Sequence, residues 1–318
     1  MKIIALVHGY PPNHNAGAEW MLHDMLKHAV SKGHKAEVLL PISELKPYTI
    51  DGVKVDRDVF QEARAKVEKC DLLLTHLDRH GKALNIAEYY NKPIVLIVHN
   101  THRYGVFANK WNREGDNFAY VLYNSEYTAT QNKYPNRGVI VRPPVDPARC
   151  KAKSKGDKIT LINLFEPKGG LVLQSIAKQM KKHKFLGVKG GYGKQEIGTM
   201  KNITYIENTS DIKSVYSQTR VLLMPSSYES YGRVAVEAMI NGIPVIAHPT
   251  PGLKESLGSA GIFADRNNVA EWVTAIELLD DPDTYAKQSE LCLQRAKEIE
   301  AQTKKELDDM LNFFNSII

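Results

Sequence analysis

Short apolar runs alternate with amphipathic stripes along almost the whole chain. The run KIIALV (2–7) is followed by Ala18, Met21, Leu22, Met25, Leu26, Ala29 and Val30. Their steps of three and four predict one buried helical face, and Gly33 stands where a left-handed cap closes such a helix. AEVLL resumes a strand, and further strands are expected at DLLLT (71–75), IVLIV (94–98), YVLYN (120–124) and VIVR (139–142). A segment rich in Pro and Lys, RPPVDPARCKAKSKGDK, then precedes a second series: ITLIN, FLGV, ITYI, VLLM, PVIA and GIFA. Unbroken apolar strands suit parallel sheets covered on both faces, where no residue faces water. The pattern predicts α/β architecture with two doubly wound, Rossmann-like domains, 1–148 and 149–318, joined near residues 142–158. At the end of the chain, Leu307, Met310, Leu311 and Phe314 share one side of KKELDDMLNFFNSII, which reads as a docking helix.

Composition narrows the class without naming a function. At 318 residues, 43% hydrophobic and 25% charged, the chain is long enough for about two ordinary domains. The apolar start is too short for a signal-peptide core, and no run approaches the roughly 18 residues that span a bilayer, so a cytoplasmic protein is expected. Cys70, Cys150 and Cys292 are odd in number and far apart, and read as free thiols of a reducing compartment. The net charge of +6 is mild and shared evenly between the halves. Lys178, Lys181, Lys182, Lys184, Lys189 and Lys194 follow one another without an intervening acid. They read as a solvated face, or as a weak attraction to phosphate-rich partners or an anionic surface.

In open parallel sheets, ligands bind beyond the carboxyl ends of the strands, so the loops after strands carry the candidate chemistry. RVLLMPSS is a strand running into a turn, and GRVAVEAMINGIPVIA is a helix closed by Gly242 before the next strand. Between them, SSYESYGRVAVEAM holds Glu229 and Glu237 with seven residues between. Gly232 lets a ligand approach the backbone, and the free amides of the first helical turn suit a diphosphate. Glu229 would accept hydrogen bonds from sugar hydroxyls and Glu237 a pair from a ribose. Alternatively, Glu229 only favours the helix dipole and Glu237 is a solvated helix acid. The second alternative is weakened by Val236, Ala238 and Met239 around Glu237, since an acid among apolar residues needs a partner.

The segment ESYGRVAVEAMINGIPVIA resembles the E-x7-E segment of GT-B glycosyltransferases, most closely family 4 of retaining nucleotide-sugar enzymes. YPPNHNAGAEWMLHDMLKHAVSKGHKAEVLL looks like the opening of that family, IVLIVHN like its strand ending in an active-site histidine, PPVDP like its interdomain segment and EPKGG like its lysine–glycine motif. Any one of these is weak; in this order they are specific. The resemblance implies a hexosyltransferase-type enzyme that moves a sugar from a nucleoside diphosphate donor with retention, without cofactor or metal. It implies that a C-terminal domain holds the donor and that the final helix, about 303–317, packs back on the N-terminal domain. By the same resemblance Gly17 would let the N-terminal loop approach the donor, and His99 would hydrogen-bond the sugar near the reaction centre. Lys168 would neutralise the leaving diphosphate. Glu229 and the backbone of Ser230, Tyr231 and Gly232 would contact the sugar, Glu237 the ribose, and the KGGYGK loop would border the base.

One position departs from the pattern. The family commonly has arginine five residues before the motif lysine, and here Asn163 stands there. Asparagine hydrogen-bonds a phosphate without neutralising it, so Lys168 and helix amides must suffice, or Arg142, Arg103 or Arg233 supplies charge. Among rival readings, a dinucleotide-dependent dehydrogenase lacks its G-x-G-x-x-G after the first strand. A sugar-nucleotide epimerase or hydrolase would share the donor site, and Asn163 alone suggests a catalytically inactive binding module. No H-E-x-x-H, clustered carboxylate pair or cysteine set marks a metal site. The acceptor is open: a glycan, a lipid-linked precursor, a protein or modified DNA.

Overall fold

The computed structural model describes residues 1–42, 44–58, 60–101, 118–131, 138–153 and 156–318, the side chains of residues 60–62 excepted. The chain divides into two compact units, Met1–Pro144 with Thr303–Ile318, and Val145–Gln302.

The first unit is built on an eight-stranded sheet. Its strands are β1 (Lys2–Leu6), β2 (Lys35–Leu40), β3 (Tyr48–Ile50), β4 (Val53–Arg57), β5 (Leu72–His76), β6 (Ile94–Val98), β7 (Ala119–Tyr123) and β8 (Gly138–Ile140). They lie in the order β3-β4-β2-β1-β5-β6-β7-β8, all pairs parallel except β3 with β4. Alternate residues of β1 enter opposite cores. Ile3 and Ala5 pack with Met21, Leu22 and Met25 of the helix Gly17–Ser31, whereas Ile4 and Leu6 pack with Ala83 and Ala87 of the helix His80–Tyr89. That double burial is why β1 reads as an unbroken apolar run. Leu307, Met310, Leu311 and Phe314 complete the first of these cores from the helix Pro282–Ile317.

The hairpin β3–β4 was not among the expected strands. Its turn is Asp51-Gly52 with φ of 48° and 80°, the positive-φ pair that a two-residue hairpin turn demands and that Asp-Gly supplies. The signal was present in YTIDGVKV, but the flanking strands are short and only half apolar.

The second unit holds β9 (Lys158–Ile162), β10 (Lys184–Val188), β11 (Ile203–Ile206), β12 (Thr219–Met224), β13 (Val245–Ala247) and β14 (Ile262–Phe263). All are parallel, in the order β11-β10-β9-β12-β13-β14. In chain order this is third, second, first, fourth, fifth, sixth: a doubly wound sheet whose direction reverses between β9 and β12. Helices cover both faces, with Trp272, Leu173 and Ile176 in one core and Val236, Met239 and Leu253 in the other.

Candidate functional site

At a reversal point the crossovers after two neighbouring strands leave toward opposite faces of the sheet, and a crevice opens between their loops. In the second unit those are the loops after β9 and β12, and they carry the lysine–glycine and paired-glutamate motifs. β9 leads through the turn Glu166–Lys168 into the helix Gly170–Gln179. β12 leads through Pro225–Ser230 into the helix Arg233–Ile240. Each helix starts from a left-handed glycine, Gly169 at φ 102° and Gly232 at φ 93°. The backbone turns sharply there and leaves first-turn amides without intrahelical acceptors. Ser227 N donates to Pro167 O at 2.8 Å and stitches the two loops together.

Lys168 and Glu229 meet across this stitch. Lys168 Nζ donates to Glu229 Oε1 at 2.5 Å, with the two side chains 23% and 14% exposed. Ser226 Oγ donates to the same oxygen at 2.9 Å. Burial alone would lower the Lys168 ammonium, but the Glu229 carboxylate outweighs it and raises the pKa above its ordinary value. The lysine is therefore fully charged at neutral pH, in a partly dehydrated position.

Glu237 finds its partners within the protein. Tyr216 Oη donates to Oε2 at 2.8 Å and Arg233 Nε to Oε1 at 3.0 Å. Burial first, and the carboxylate second, raise the Tyr216 hydroxyl well above its usual range, so it stays a donor. Two hydrogen bonds leave a carboxylate with open lone pairs, and Glu237 is held in place with acceptor capacity to spare. Of the neighbouring positions, Ser230 is half-buried and Tyr231 is 1% exposed, its ring in the same core as Val236 and Leu253.

Asn163, where arginine was expected by resemblance, has φ of 75°. Asparagine tolerates that left-handed region far better than most residues, because its short side chain bonds locally. Its Oδ1 accepts from Phe165 N at 3.1 Å. Of the alternative charges, Arg233 is engaged with Glu237, Arg142 pairs with Glu306 in the first unit, and Arg103 lies outside the described residues. The KGGYGK loop is anchored by Gln195, whose Oε1 accepts from both Leu164 N and Gly190 N, at 2.9 and 2.8 Å. Tyr192 rests edge-on against Phe165 with ring centroids 6.0 Å apart. Ser226, Tyr216 and Gln195 were not singled out from sequence, and Arg233 was named there only as a source of charge, because only folding shows that they support Glu229, Glu237 and this loop. Of the lysine run, Lys184, Lys189 and Lys194 pair with Asp157, Glu207 and Glu196, which shrinks any basic patch.

In the first unit His99 follows β6 and His76 ends β5, with Nε2 of the former 3.0 Å from Nδ1 of the latter. Burial, and secondarily His8, hold the His99 pKa down to about 3. His99 is thus a neutral hydrogen-bonding ring at any working pH. Gly17 opens the helix Gly17–Ser31, and a Cβ placed there would meet nothing within 4 Å. Nothing in the described fold itself requires glycine at that position; the space beside it is open.

The three cysteines are buried and unpaired, and burial raises their thiols to about 11 at Cys70 and Cys292 and about 12 at Cys150. Among the described residues no helix is long and apolar enough to cross a membrane.

Residues 193–295 match the family described as Glycosyl transferases group 1. Among characterised relatives, D-inositol 3-phosphate glycosyltransferase of Corynebacterium glutamicum is 32% identical over 124 residues, 37% of this chain and 30% of that one. The same enzyme of Corynebacterium kroppenstedtii is 41% identical over 75 residues, 23% of this chain and 17% of that one. The matched segments thus span less than a third of these relatives. Similarity in structure is broader. Anabaena HepE in complex with UDP-glucose superposes with a TM-score of 0.75 at 18% identity, covering 97% of this chain and all of that one (100%). A glycosyltransferase from Rickettsia africae gives 0.75 at 16% identity, covering 99% and 98%. Sucrose-phosphate synthase from Thermosynechococcus elongatus gives 0.76 at 14%, covering 100% and 99%. At such identities the likeness speaks for the fold, and the sequence match for the second unit's segment. Together they show a GT-B fold, with residues 193–295 of the second unit similar to Glycosyl transferases group 1.

Proposed function

We propose that the protein transfers a sugar from a nucleoside diphosphate sugar to a hydroxyl-bearing acceptor, with retention of anomeric configuration. The observation that carries this reading is the Lys168–Glu229 pair, set between two helix N-termini at the reversal point of the second sheet. Breaking a sugar–diphosphate bond builds negative charge on the leaving phosphate and positive charge on the sugar. The pair supplies one group for each. Lys168, with the amides opening the helices at Gly170 and Arg233, faces the diphosphate; Glu229 faces the sugar. An ammonium has three donors, so Lys168 can serve a phosphate without wholly releasing Glu229. These groups do for the leaving diphosphate what a bound metal does elsewhere, and kcat should survive treatment with EDTA. Glu237 takes the ribose hydroxyls, Asn163 a phosphate oxygen, and the backbone of Ser230, Tyr231 and Gly232 the sugar. In the first unit, His99 offers a neutral hydrogen-bonding ring to a sugar hydroxyl, and Gly17 leaves room for a substrate to approach the backbone.

The UDP-glucose complex of Anabaena HepE favours a uridine nucleotide as the first donor to try. A thermal-shift panel of UDP-, GDP- and ADP-sugars tests the donor, because a ligand that binds only the folded state raises its melting temperature. NMR of the product tests the stereochemistry: an inverted anomer overturns the mechanism. An epimerase or hydrolase would consume the donor with no acceptor present, and an inactive binding module would shift the melting temperature without turnover.

A further inference from the structure

Three side chains of the first unit converge on the loop that follows β1: His8, His14 and Glu19. One ligand atom of each lies within 4.8 Å of the other two. Their spacing in sequence matches no metal-binding motif; the loop folds back to join them. His8 Nε2 stands 3.4 Å from Glu19 Oε1. That is longer than a charge-assisted hydrogen bond of about 2.7–2.9 Å. It matches the roughly 3.4 Å edge of a tetrahedron whose metal–ligand bonds are about 2.1 Å. Glu19 is 1% exposed, yet its Oε2 has no hydrogen-bond partner among the described residues, and neither has Nδ1 of His8. A buried carboxylate oxygen left without a donor is unfavourable unless a cation completes it. The His14 ring lies directly over the chain at residue 9, where a Cβ would come within 2.2 Å of Nδ1. Gly9 is therefore the residue that lets His14 reach the group.

We infer that His8, His14 and Glu19 form a binding site for a divalent transition-metal cation, zinc by its donor set. Two imidazoles and one carboxylate are a zinc ligand set that leaves a fourth position for water or a ligand oxygen. His8 and His14 are half-buried, which gives the ion a way in from solvent. The ion would tie the end of a strand, the following loop and the start of the helix Gly17–Ser31 into one geometry, and Gly17 lies on that tether. All three residues belong to the first unit.

The experiment uses the full chain with any affinity tag removed and metal stripped by chelation. Zinc is titrated by calorimetry, bound metal is counted by elemental analysis, and Co2+ serves as a spectroscopic probe. One equivalent of zinc, a higher melting temperature with zinc, and the intense visible bands of tetrahedral Co2+ are expected. His14→Ala, in the loop, should weaken zinc binding at least tenfold, since even changes behind the ligands cost about 10–100-fold. Glu19→Gln should do the same, with circular dichroism verifying the fold, whereas His183→Ala in the second unit should change nothing. Equal zinc affinity in the wild type and His14→Ala, or Co2+ spectra of an octahedral aquo-like ion, would overturn the assignment.

Discussion

At the scale of single residues, the two glutamates separate by what surrounds them. Glu229 is paired with Lys168, where charge would develop under the proposed function; Glu237 is held by Tyr216 and Arg233 and would there meet a ribose, which changes little along the reaction. An interaction equal in ground and transition states appears in KM, and one that strengthens at the transition state appears in kcat. Glu237→Gln should therefore mainly raise the donor KM, by an amount equivalent to about 1–3 kcal/mol for a charged hydrogen bond. Glu229→Gln should mainly lower kcat, because a carboxylate favours the positive charge gained by the sugar, and His99→Ala should behave likewise. Steady-state kinetics with varied donor decide this; the reverse pattern exchanges the roles of the two acids. Asn163 shows how a position read from resemblance acquires a second meaning. Its positive φ gives a backbone reason for asparagine that a sequence pattern does not contain.

At the scale of elements, the site depends on how two helices begin. Gly232 carries φ 93°, and a Cβ there would sit 2.6 Å from Leu253 Cδ2. Gly232→Ala is therefore strained in its backbone and crowded by a side chain buried at 0% exposure. The expected destabilisation is about 1–3 kcal/mol, the cost of a non-glycine residue in a sparsely populated region. Chemical denaturation measures it, and a stability unchanged from wild type would show that the helix start relaxes freely. The strands were largely legible: all twelve expected runs coincide with observed strands to within about two residues at either end, since continuous apolar stretches have few other uses. VIVR sits one residue early, as β8 at Gly138–Ile140, and GIFA shortens to the two residues of β14. The hairpin β3–β4 escaped because its strands are short and partly polar, although Asp51-Gly52 marked its turn.

At the scale of the whole molecule, the last stretch of chain returns to the first sheet's core. Phe314 is fully buried there with Leu307, Met310 and Leu311, all more than 160 positions beyond β8 in sequence. Phe314→Ala should cost about 3–5 kcal/mol, the usual range for an aromatic removed from a core. Calorimetry should show the loss in the transition of the first unit, since a chain of two compact units need not unfold in one step. An unchanged thermogram would mean that this contact contributes nothing to stability.

The amino-acid sequence by itself determined the alternation of strands and helices, the doubly wound class and the identity of the motif loops, because periodicity and glycine placement are local properties. It also marked Glu237 as an acid in need of a partner. Which partners it has, Tyr216 and Arg233, only the tertiary structure decided. The same holds for strand order. β9 and β12 neighbour one another although two strands intervene in sequence, and this adjacency brings Lys168 to Glu229 across 61 positions. The convergence of His8, His14 and Glu19 is likewise a product of one folded loop. Contacts of that kind arise from the packing of whole elements, and no local spacing of residues encodes them.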